Sequence, residues 1–125
     1  MAQVVTQRPS NRTDIVDMAR VEALHPDPEK SSTRIDVTLY EDVRAAIIHS
    51  LADAGEVPFA QLADLVEANS PAVHWESASV GWYTTTVKLD LEARGLLARR
   101  GNPQVLTLTE LGKRAAGRQW GSTGV

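Results

Sequence analysis

A chain of 125 residues with no cysteine and a formal net charge of -3 is long enough to bury roughly two-thirds of its unfolded surface in one core, and it excludes disulfides and thiolate metal sites. No apolar run approaches the roughly 18 residues a membrane helix needs, and the start MAQVVTQRPSNRTD lacks a charged-then-apolar signal, so a soluble cytoplasmic protein is expected. Residues 1–68 hold six Lys+Arg against twelve Asp+Glu and residues 69–125 seven against four, so any phosphate-binding capacity is expected in the second half.

Residues 1–17 are polar and aperiodic and read as an N-terminal arm, with the domain proper over 18–118 and a tail over 119–125. Arg8 and Arg12 suit a minor-groove arm, but Asp14 and Asp17 favour an inert tail. Met18–Leu24 reads either as a helix with a weak apolar stripe of Ile15, Met18 and Ala19 or as a strand; alternation in Arg20–Leu24 and Arg34–Val37, across a loop containing Pro26 and Pro28, favours a two-stranded ribbon. Thr38-Leu39-Tyr40-Glu41 has the form of a capping box, and Leu39, Val43, Ala46, Ile47, Ser50, Leu51 and Ala54 continue a helical face as far as Gly55. Pro58 starts a second helix with Phe59, Leu62, Ala63 and Val66 inward, and Asn69-Ser70-Pro71 closes it. In the connection to Ser79, His74 and Glu76 are two apart and share no helical face, so Trp75 is read as a hydrophobic anchor rather than part of a metal site.

Val80, Thr84, Val87 and Leu91 place one face of a long helix in the core, and Gly95 ends that helix. At about 100° per residue the outward side carries Trp82, Thr85, Thr86, Leu89 and Ala93, with Gly81, Lys88 and Glu92 on one flank. Thr85, Thr86 and Lys88 can hydrogen-bond base edges, whereas Trp82 and Leu89 satisfy few of them. Exposing both apolar side chains would forgo several kcal/mol at about 1.5–3 each, so Trp82 is predicted to be substantially buried. The cover would be the N-terminal ribbon, a second subunit or another protein. Residues from Leu96 to Ala98 and from Val105 to Leu108 form a hairpin around Gly101-Asn102-Pro103. Its Arg99, Arg100, Asn102 and Gln104 are candidate backbone contacts, and Thr109 caps a last helix bearing Lys113, Arg114 and Arg118. Trp120 belongs to the tail.

The helix end Leu91-Glu92-Ala93-Arg94-Gly95-Leu96, the basic hairpin and Leu108-Thr109-Glu110-Leu111-Gly112 resemble the recognition helix, wing and following helix of winged helix-turn-helix proteins. His25-Pro26, Tyr40 with Arg44, Gly81-Trp82, Thr86-Val87, Leu89-Asp90-Leu91-Glu92-Ala93 and Gly95 further resemble a small bacterial winged-helix family of unknown function, over roughly residues 20–100. That resemblance implies a mainly α (α+β) winged helix-turn-helix with a C-terminal wing and an N-terminal ribbon. It supplies no ligand, and the family would have a basic residue where this chain has Thr85.

The expectation that follows is a DNA-binding transcriptional regulator, with a homodimer as its candidate assembly. Thr85, Thr86 and Lys88 would lie near bases of double-stranded DNA, and Arg99, Arg100 and Asn102 on its backbone. The alternative is a non-enzymatic module that docks a protein through Trp82 and Leu89. Neither GxxxxGK[ST] nor GxGxxG occurs, and no catalytic residue, metal ligand, cofactor or small-molecule site can be nominated.

Overall fold

The computed structural model describes residues 20–117 apart from 28 and 31. The expected arm over 1–17, with Arg8 and Arg12, and the C-terminal Arg118 and Trp120 lie outside those residues.

Strands β1 (Arg20–Ala23) and β2 (Thr33–Asp36) pair antiparallel, with Val21 opposite Ile35. Their alternation turns Ala23 and Ile35 into the core and leaves Arg20, Glu22 and Arg34 outside, because successive strand side chains point to opposite faces. This is the ribbon expected from the pattern.

Helix α1 (Val37–Ala54) follows without a break, and its cap corrects the expected one. Asp36, not Thr38, is the N-cap: its Oδ1 accepts the N–H of Leu39 at 3.0 Å. Pairing Asp36 with Arg20 keeps the strand intact up to the cap, which places Thr38 already inside the first turn. A carboxylate there also answers the positive end of the helix dipole. At the other end Gly55, at φ 85°, returns its N–H to the Leu51 carbonyl at 2.9 Å.

α1 is the central element. Tyr40, Val43, Ala46, Ile47, Ile48 and Leu51 are all buried, a wider face than the single stripe the spacing suggested, because helices and the ribbon pack on more than one side of it. Complete burial of a side chain such as Ile47 or Ile48 contributes about 1.5–3 kcal/mol.

Val57–Pro58 forms a two-residue strand, β3, that sequence periodicity does not reveal. It pairs with β5 (Val105–Leu108), which also pairs with β4 (Leu97–Arg100), giving the order β3-β5-β4. Pro58 lacks an N–H and tolerates the sheet edge it occupies. Helix α2 (Phe59–Ala68) then buries Leu62 and Val66.

A 3-10 turn over Ala72–Glu76 leads to α3 (Val80–Ala93), capped by Ser79, whose Oγ accepts the Trp82 N–H at 3.1 Å. Gly95 adopts φ 78° immediately beyond α3 and Gly101 does so in the hairpin turn, a region that favours glycine. Thr109 caps α4 (Glu110–Ala116) as expected, accepting the Gly112 N–H at 3.0 Å. The described chain is thus a mostly helical α+β fold of four α-helices with two small sheets.

Candidate interaction face on the long helix

α3 buries Thr84, Val87 and Leu91, as its spacing predicted, but it also buries Lys88 and Asp90. Two charged residues enter the interior because α3 is gripped from two further directions, by the ribbon and by the hairpin.

The ribbon grip centres on Asp90, which is 0% exposed. Its Oδ1 accepts the Leu24 N–H at 2.8 Å, its Oδ2 accepts the Tyr40 hydroxyl, and the Arg94 Nε donates to both oxygens at 2.9 Å. Arg94 Nη2 also donates to the Glu22 carbonyl at 3.1 Å. A buried carboxylate is costly unless its lone pairs are filled, and here protein donors fill them. Burial first, and then the Asp90 hydrogen bond, push the Tyr40 phenol up to about 12. The same carboxylate, through its hydrogen bond, holds the Arg94 guanidinium protonated above its ordinary range. Tyr40 and Asp90 stood out in the sequence only as parts of a family resemblance, and no local spacing signals that they meet across 50 positions.

The hairpin grip centres on Lys88 and corrects an expectation. Nominated to face DNA bases, Lys88 is instead 2% exposed. Its ammonium pairs with Glu92 one turn later, donates to Gln104 Oε1 at 3.0 Å and lies 5.0 Å from the Phe59 ring centroid. The cause is the second hairpin strand, which brings Gln104 over that flank. Lys88 therefore joins α3 to the hairpin and α2, and it cannot contact a base edge without breaking these bonds.

Of the other nominated hydrogen-bonding residues, Thr85 and Asn102 are exposed and Thr86 is half-buried. Arg99 and Arg100 are exposed, but each already has a carboxylate partner. Arg99 Nε lies 3.6 Å from Glu92 Oε1, and Arg100 Nη2 lies 2.8 Å from Glu56 Oε2.

Trp82 departs from its predicted burial: it is 48% exposed, while Leu89 is half-buried. The ribbon, the intramolecular cover considered for it, is instead tied to Asp90 and Arg94, at least two helical turns further along α3. Trp82 does not stand alone. Its ring meets that of Tyr83 edge-on at 5.0 Å, Tyr83 lies 6.1 Å from Trp75, and the Trp75 Nε1 donates to Ser70 Oγ at 3.0 Å. Trp75 is thereby the anchor the sequence suggested, half-buried against the core. Beside it, His74 Nε2 sits 2.7 Å from Asp42 Oδ2, pinning the 3-10 turn to α1. The result is an aromatic row from the end of α2 to the start of α3, half-buried at Trp75 and open at Trp82. Val73, in the same turn, is also largely exposed.

Among the described residues no group of three or more His, Asp or Glu is placed to hold a metal ion, and no helix is long and apolar enough to cross a membrane. Fold and site define a mostly helical α+β domain whose long helix is locked on two flanks and presents an indole on its open side. The chain belongs to a family of unknown function, DUF6958, whose model matches residues 20–106. No curated protein and no solved structure matches it.

Proposed function

We propose that this domain is a winged-helix module that docks another protein through the Trp82 side of α3. The winged-helix reading is supported by the order α1, β3, α2, α3, β4, β5, in which the hairpin follows the long helix and shares a sheet with the strand before α2. The observation behind the docking reading is that Trp82 remains half exposed at the end of an aromatic row. Meanwhile the cations nominated for DNA are bound to Glu92, Gln104 and Glu56. An exposed tryptophan on a rigid helix is a common anchor of protein interfaces, whereas phosphate contact needs cations free to replace counterions.

The test is Trp82→Ala in the full chain. Because this side chain adds little to the core, the variant should fold with a stability within about 1 kcal/mol of the parent. It should also lose whatever association, with itself or with a co-purifying protein, the parent shows. Unchanged association would overturn the docking reading.

Duplex DNA binding is the second reading, favoured by the exposure of Thr85 on α3 and of Asn102 at the hairpin turn. It requires measurable binding to a generic duplex at low salt that weakens in Arg99→Ala/Arg100→Ala. An undetectable complex would remove it.

A further inference from the structure

The docking reading leaves the partner open, and the distribution of charge around the aromatic row narrows it. From residue 59 to residue 87 the chain contains no lysine or arginine, yet it contains Asp64, Glu67 and Glu76. That stretch supplies α2, the 3-10 turn and the N-terminal half of α3, the elements from which the row is built. Asp64, Glu67 and Glu76 are exposed. Glu67 precedes by one turn Ser70, whose Oγ receives the Trp75 indole N–H, and Glu76 immediately follows Trp75. No basic residue occupies the last turn of α2, so no cation of that turn offsets the negative end of its helix dipole. The nearest cations along the chain at either end, Arg44 and Lys88, lie outside the stretch, and Lys88 is buried and paired.

Resting on the docking reading, we infer that the partner presents a basic amphipathic segment, with lysines or arginines flanking an apolar side chain. The apolar group lies against the open Trp82 ring. The cations meet Glu67, Glu76 and Asp64, and one of them stacks on the indole face, an arrangement favourable for an ammonium or guanidinium. A second copy of this chain fits this surface less well, because its own aromatic row carries the same negative charge and a two-fold contact would set like charges together. A DNA phosphate backbone meets the same repulsion.

The probe is a fluorescently labelled 14-residue amphipathic peptide of lysine and leucine, titrated with the full-length protein and followed by anisotropy. A peptide with every lysine replaced by glutamate serves as its counterpart. The lysine peptide should bind and the glutamate peptide should not. Affinity should fall roughly tenfold in Glu67→Gln/Glu76→Gln and roughly thirtyfold in Trp82→Ala. Asp27→Asn/Asp53→Asn, which removes the same number of charges away from the row, should leave it within about twofold. If both peptides bind equally and Trp82→Ala abolishes both, docking through Trp82 stands and the basic partner is wrong. If the lysine peptide binds and ignores Trp82→Ala, the docking reading fails with it. Equal losses in the two carboxylate double variants would reduce the effect to net charge and overturn the inference. So would failure of the lysine peptide to bind, or a Trp82-dependent homodimer in sedimentation.

Discussion

The backbone N–H of Leu24 donates to the Asp90 carboxylate at 2.8 Å across 66 residues of sequence, and it fastens the end of β1 to the last turn of α3. The same carboxylate receives Tyr40 from α1 and Arg94 from its own helix, so one buried charge joins three elements. Asp90→Ala would strand a guanidinium, a phenol and an amide together. The expected loss is about 3–5 kcal/mol, read by urea unfolding. Amide exchange at Leu24 should accelerate before the α1 core opens.

Tyr40 supplies a pH dependence from this cluster. Its phenol is raised from 10.0 to about 12 in the folded protein, so the native state binds that proton more tightly than the unfolded chain does. Stability from this source is complete below about pH 10 and is lost as pH rises towards 12, with a size of roughly 2–3 kcal/mol. Urea unfolding from pH 8 to 12 should show the decline, and Tyr40→Phe should be flatter over that window. A parallel decline in both proteins would assign it to other groups.

Lys88 is a joint between helix and hairpin. Lys88→Ala removes the nearer of two cations from a Glu92 side chain that is 7% exposed, leaving it Arg99 at 3.6 Å, and takes from Gln104 its donor. The expected cost is about 3 kcal/mol in thermal or chemical unfolding. A surface lysine on a DNA-facing helix would cost almost nothing, so this measurement also separates the two placements.

Gly112 and Gly117 lie in neighbouring turns and should respond oppositely to alanine. A Cβ at Gly112 would stand 2.0 Å from the Leu96 carbonyl oxygen, whereas one at Gly117 would meet nothing within 4 Å. That carbonyl is held in place because it accepts the Thr109 N–H at 3.1 Å. Gly112→Ala should therefore destabilise by about 3 kcal/mol, and Gly117→Ala should be neutral or stabilising by up to about 1 kcal/mol. Melting temperatures of the two variants check both.

Thr84 offers a gain. Its hydroxyl is buried on α3 without a hydrogen-bond partner. Thr84→Val keeps the branched shape and removes a desolvated polar atom, so it should stabilise by about 1 kcal/mol in urea unfolding. A loss would mean that the hydroxyl is bonded in solution.

What was legible in the sequence is what neighbouring residues decide among themselves. Alternation marked the ribbon and the hairpin, a threonine before Glu110 marked the last helix, and glycines at 55 and 95 marked helix ends. The helical spacing of Thr84, Val87 and Leu91 named three inward residues correctly. The absence of cations between Arg44 and Lys88 is also a sequence signal, but it acquires meaning only once the elements it spans are seen to share the aromatic row.

The candidate site was less legible, because each of its surprises depends on a partner far along the chain. Spacing alone put Lys88 on an open flank, and Gln104, sixteen residues on, closed that flank. The apolar cost of an exposed indole argued for covering Trp82, but the available cover was drawn to Asp90 by hydrogen bonds that no periodicity encodes. Thr38 had the right neighbours for a cap, and the pairing of Asp36 with Arg20 moved the cap two residues earlier. The amino-acid order by itself determined where the four α-helices, the ribbon and the hairpin form, since propensity and periodicity act over a few residues. Only the tertiary structure decided which charges are buried as joints and which aromatic ring is left open, since that depends on which surfaces meet.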